Sequence, residues 1–170
     1  MSESQRREPI VAAISWIICA NKPVYPLYVW LHVGSGVKES AWTMLTAPLY
    51  AGIALCARRA SLAARIALPI VGAADTIFAT KLFGAGAGTE LFFAPCAEIA
   101  ALSFAASEQK IARALLAGIV LAFFLLHGRY GAPWHDWSAD EQSRFVTINA
   151  YAVASLMAYV GWRFAAVGEA

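Results

Sequence analysis

Apolar residues fill most of this chain in long blocks, and polar residues gather in the short breaks between them. A membrane-spanning helix needs about 20 mostly apolar residues, and the blocks are of that order. The first covers residues 10–34 and is interrupted by Asn21-Lys22-Pro23 and by Pro26. Those prolines lack backbone N–H groups, so the first helix is expected to be kinked or broken at Asn21–Pro26. The second block covers about residues 41–57 and stops at Arg58-Arg59. The third covers 62–83 and the fourth 89–106, with the glycines Gly84, Gly86 and Gly88 marking a tight turn between them. A polar link leads into a fifth block at about 111–127, and the longest polar stretch, 128–143, precedes a sixth at about 144–164. The pattern predicts an all-α integral membrane bundle of six transmembrane helices. It forms one domain, residues 10–166, between a cytoplasmic N-terminal tail (1–9) and a C-terminal tail (167–170).

Composition supports the membrane reading. Hydrophobic residues are 60% of the chain and charged residues 14%, against roughly 45–50% and 25% in soluble domains. The formal charge of +2, with scattered basic residues, argues against a nucleic-acid partner and leaves the lipid bilayer as the first partner. Cys19, Cys56 and Cys96 all lie in apolar runs and form neither a disulfide framework nor a CxxC site. The basic residues before the first block resemble a signal peptide, but no A-x-A-like site follows, so a retained first span is expected.

Lysine and arginine bias sets the orientation. With the N-terminus inside, Arg6, Arg7, Arg58, Arg59, Arg65, Lys110, Arg113 and Arg163 fall on the inner side. Lys38, Lys81, Arg129 and Arg144 fall at or near the outer side. Both termini are therefore expected in the cytoplasm of a bacterial inner-membrane protein, with the 128–143 stretch outside.

Within this apolar frame the charges are few and costly, each about 2.5–3.5 kcal/mol on insertion scales. Counting about 1.5 Å per residue places Lys22, Asp75 and Glu98 near the midplane of helices one, three and four. They can form a structural ion pair or a proton-linked or ligand site. His32, Lys81, Glu90, His127 and Tyr130 fall in a second layer nearer the outside. His32, Glu90 and His127 have the donor types for zinc or another divalent metal, and the two histidines could serve as axial ligands to haem. The bland alternative is interfacial histidines, since no HxxxH or HExxH spacing is present. If the ligand is organic, Tyr28, Trp30 and Phe92 should line the same cavity, with His135 close by.

Three stretches together carry a resemblance: Asn21-Lys-Pro-Val-Tyr-Pro-Leu-Tyr-Val-Trp30, Lys81-Leu-Phe-Gly through Gly88-Thr-Glu-Leu-Phe-Phe-Ala-Pro-Cys96, and Leu126-His-Gly-Arg-Tyr-Gly-Ala-Pro133. The chain resembles the six-helix membrane sensor regions that precede cyclase or kinase output domains in bacterial signalling proteins. The resemblance implies a ligand-sensing bundle with its site in the outer half and a C-terminus that hands a signal inward. It also implies that the Glu90 position often holds a histidine in related sequences, which fits a polar or metal site shared with His32 and His127. No output domain follows the sixth helix, so a separate signalling partner, a homodimer or another use altogether is expected.

Three function classes follow. The first is a sensor or ligand-binding module without catalytic activity. The second is a small proton-coupled transporter using Lys22, Asp75 and Glu98. The third is a metal- or haem-bearing redox protein using His32 and His127. No serine, cysteine or histidine spacing supports a hydrolase.

Overall fold

The computed structural model describes residues 3–59 and 61–168, with side chains over 6–59 and 61–166. Among these the chain is all-helical, with no strand. The helices are α1 (Glu3–His32), α2 (Val37–Ala41), α3 (Ala47–Ala57), α4 (Leu62–Phe83), α5 (Phe93–Leu102), α6 (Gln109–Leu126) and α7 (Ala139–Gly168). Short 3-10 segments at Trp42–Thr46 and Thr89–Phe92 lead into α3 and α5. Residues 3–9, expected as a tail, belong to α1.

Five segments are long and apolar enough to cross a membrane: α1, the α2–α3 unit, α4, α6 and α7. The fourth block falls short of the sixth span expected. The ten residues of α5 and the four of its 3-10 turn rise about 23 Å together, less than the ~30 Å of a hydrocarbon core. Its ends are nonetheless tied to distant levels of α4. Thr89 Oγ1 donates to Thr80 Oγ1 (2.9 Å) at one end, and Arg65 Nη1 donates to the Ser103 carbonyl (3.4 Å) at the other.

α1 is not broken. It runs continuously through Pro9, Pro23 and Pro26. Each internal proline removes one backbone bond, but packing overrides that loss: Pro26 is buried, and α1 makes its most extensive contact along α3. Prolines are tolerated in apolar helices whose neighbours re-satisfy the freed groups.

The turns follow from local chemistry. Ser61 caps α4, its hydroxyl accepting from the Ala64 N–H. Gly36 enters α2 at φ +64°, and an added Cβ would stand 1.8 Å from the Trp137 ring, so only glycine fits there. Ser138 and Glu141 form a reciprocal capping box: Ser138 N–H donates to Glu141 Oε2 (2.8 Å) and Glu141 N–H to Ser138 Oγ (3.3 Å). This box starts α7 five residues ahead of the expected Arg144.

The start of α1 and the end of α7 share one end of the bundle, where Arg6 and Pro9 line a groove with Trp162 and Ala166. We call this the terminal end. One core cluster lies nearer it (Ile14, Ile53, Leu68, Val160) and a second lies under the far loops (Val29, Phe83, Trp137, Phe145). A third joins α4 and α5 to α6 through Ala73, Phe93, Cys96 and Ile119. The outer surface stays apolar, with Leu31, Leu45, Phe124 and Trp162 exposed.

Candidate functional site

Charged and hydroxyl side chains concentrate along α4 in two groups joined by a file of small polar residues. The first group forms about halfway along α4. Lys22 of α1 reaches Asp75 of α4 in an ion pair whose side chains are only 11% and 12% exposed. Asp75 has two further donors. Thr46 Oγ1 donates to Oδ1 (2.9 Å) and the Tyr50 hydroxyl to Oδ2 (3.0 Å). Thr46 and Tyr50 are four residues apart and so lie on one helical face. Lys22 Nζ also sits 5.6 Å from the Tyr50 ring centre. The carboxylate is thus held by three donors, as a buried charge must be.

Glu98 does not join this pair by any hydrogen bond. Its Oε2 is buried without a partner, and its Oε1 would lie 3.4 Å from a Cβ added at Gly161 of α7. The expected midplane trio is therefore one ion pair and one carboxyl turned toward α7.

The second group lies at the far end. His127, at the end of α6, sets Nδ1 2.8 Å from Glu90 Oε2. The imidazole is 63% exposed and the carboxylate 11%, so a wet histidine covers a nearly buried acid. Phe123 stacks against the imidazole at 5.3 Å. Tyr130 brings its hydroxyl beside Glu90 and Thr80, although neither the phenol oxygen nor Glu90 Oε1 completes a well-formed hydrogen bond. Burial, then the charge and hydrogen bonding of Glu90, push the Tyr130 phenol up to about 12. The loop over this group is pinned to α4, because Lys81 Nζ donates to the Ala132 carbonyl (2.7 Å) and Trp134 N–H to the Leu82 carbonyl (3.1 Å).

His32 is not part of that group. It is exposed, and its carbonyl accepts from Arg144 Nη1 (3.2 Å). Among the described residues no three His, Cys, Asp or Glu side chains converge as a metal site, so His32, Glu90 and His127 do not form a ligand set. α1 packs mainly against α3, α2 and α7, whereas Glu90 and His127 sit where α5 meets α6, and sequence depth says nothing of which helices are neighbours. His135 stacks on Trp137 (4.4 Å) and sits 3.8 Å from Glu39. Tyr28 and Trp30 are exposed and Phe92 is half-buried. Two grooves of about 430 and 330 Å³ open at the terminal end, and none of these three aromatics lines either.

Between the two groups runs the file. Thr89 donates to Thr80 (2.9 Å), and Thr80 donates to the Thr76 carbonyl (2.8 Å). Thr76 donates to the Gly72 carbonyl (2.9 Å), and the Cys96 thiol lies close to both Thr76 and Asp75. Thr76, Thr80 and Thr89 are all buried. Sequence depth marked the ends of this file and missed its middle. The signal was there in Thr76 and Thr80, four apart on the face of α4 beside Asp75.

Asn149 of α7 adds a buried bridge, donating to the Ala87 carbonyl (2.8 Å) and accepting from Tyr25 (3.2 Å). At the terminal end Arg65, expected on the inner side, is buried and held bidentately by Glu108, with 2.8 Å from Nη2 to Oε1. No family model, curated protein or solved structure matches this chain.

Proposed function

We propose that the chain is a multi-pass membrane sensor without catalytic activity, and that its stimulus is taken at the Glu90–His127 pair. In this reading α5 with its 3-10 turn makes a sixth, short crossing. The termini lie in the cytoplasm and residues 128–138 lie outside. The observation that carries the reading is the exposed imidazole bonded to a nearly buried carboxylate. An imidazole changes charge between about pH 5 and 8. Protonated, it adds a positive charge to the donor and holds the Glu90 carboxylate more strongly than the neutral imidazole does. Protonation therefore tightens the joint between the end of α6 and the turn that starts α5. The buried threonines Thr89, Thr80 and Thr76 lie between that joint and Lys22–Asp75, which ties α1 to α4. A ligand can shift a conformational equilibrium only by its differential affinity for the two states, and here the proton supplies it.

The test is hydrogen exchange of the full chain in lipid nanodiscs, with rates corrected for their intrinsic pH dependence. Protection at residues 89–92 and 122–127 should rise on acidification in the parent and stay flat in His127→Gln and Glu90→Gln. A parent without pH-dependent protection, or a His127→Gln variant that keeps it, defeats the proposal.

A further inference from the structure

At the terminal end the arginines divide into two kinds. Arg65 is held bidentately by Glu108 and also donates to the Ser103 carbonyl, so its charge is paired although its Nε has no partner. Arg58 shares its groove with Glu8. Arg6 and Arg163 are different: they line the groove of about 330 Å³ between α1 and α7, and no carboxylate is among the described residues that line it. Arg6 Nε is buried without a hydrogen-bond partner, a costly state for a charged donor. Arg163 packs its guanidinium carbon 5.9 Å from the Tyr159 ring. The rest of the lining is Pro9, Ile10, Trp162 and Ala166, with Trp162 exposed.

We propose that this groove holds the headgroup phosphate of an anionic phospholipid, gripped by Arg6 and Arg163. Guanidinium groups bind phosphate through paired charge-assisted hydrogen bonds. Basic pockets between membrane helices are suited to lipid headgroups, and exposed tryptophan suits the headgroup level. The volume falls within the roughly 300–1,000 Å³ of small-ligand sites. The apolar rim selects the lipid over free phosphate, because Pro9, Ile10, Trp162 and Ala166 offer a free anion nothing and offer a glycerol and upper acyl chain a wall. A bound headgroup would clip α1 to α7 where both helices end.

The experiment uses the full chain, purified in detergent and stripped of lipid. Short-chain phosphatidylglycerol, phosphatidylcholine with the same acyl chains, and inorganic phosphate are titrated against thermal stability. Phosphatidylglycerol should stabilise the parent and phosphatidylcholine should do so far less. The pair Arg6→Gln/Arg163→Gln should weaken phosphatidylglycerol binding by about tenfold or more. Arg113→Gln, at the same end but outside the groove, should leave it unchanged. Equal response to both lipids overturns the proposal, as does an equal loss in Arg113→Gln. Full displacement of phosphatidylglycerol by inorganic phosphate assigns the site to a free anion and overturns the lipid. If the double variant does not fold, Arg163→Lys and the parent's lipid discrimination decide: Lys keeps the charge, loses the fork and should bind more weakly.

Discussion

Replacing Lys22 by methionine keeps a stem of similar length against Tyr50 and removes only the ammonium. Asp75 is then left charged, 12% exposed and without its cation. Removing one member of a buried pair costs about 3–5 kcal/mol. Thr46 and Tyr50 still donate to Asp75, and hydrogen bonds to a charged group are worth about 1.5–3 kcal/mol each. The loss should therefore fall at the lower end, about 3 kcal/mol. Asp75→Leu should cost more, about 4 kcal/mol, because it strands Lys22 and both hydroxyls. The double variant Lys22→Met/Asp75→Leu removes both charges and leaves only two hydroxyls unpaired, a loss of about 2 kcal/mol. Reversible unfolding in mixed micelles measures all four corners of the cycle, and the coupling should be about 5 kcal/mol. Additive losses would refute the pair as a coupled unit, and so would a Lys22→Met variant as stable as the parent.

Gly36→Ala should destabilise by about 2–5 kcal/mol, combining a left-handed alanine with overpacking; the Trp137 ring must move, so tryptophan emission should shift to the red. Ser138→Ala removes one half of the capping box and should cost about 1 kcal/mol, seen as faster exchange in the first turn of α7 with no change elsewhere. Tyr130 titrates higher in the folded chain than its ordinary 10, at about 12. Its contribution to stability is thus whole below pH 10 and is lost as pH rises through 12. The difference in stability between the parent and Tyr130→Phe should fall across that window, measured as paired unfolding curves.

The apolar blocks were legible because a lipid-facing helix needs little more than length and composition. Residues 62–83 match α4 end to end. Helix starts were less so: the Ser138-x-x-Glu141 box is a local signal that apolar counting ignores, and it moved the start of α7. The prolines in α1 misled because a proline rule describes an isolated helix, whereas Pro26 is buried against neighbours. The fourth block reads too long because its apolar residues continue past Leu102, whereas the helix ends at Ser103 and Glu108 caps the turn that leads into α6. For the site, depth along each helix put Lys22 beside Asp75 and Glu90 beside His127. It could not supply the angle around the bundle axis, which separates His32 from Glu90 and turns Glu98 toward α7.

The central claim is that a proton taken up at His127 is felt at Lys22–Asp75. Cys19, half-buried and three residues before Lys22, offers a native reporter. With Cys56 replaced by serine and Cys96 left buried in the file, a trifluoromethyl label on Cys19 can be followed by fluorine NMR in oriented proteoliposomes. Changing only the outer pH should move the label's resonance. The movement should vanish in His127→Gln and in Thr80→Val, which interrupts the file. A resonance that ignores the outer pH, or one that still moves in His127→Gln, contradicts the account.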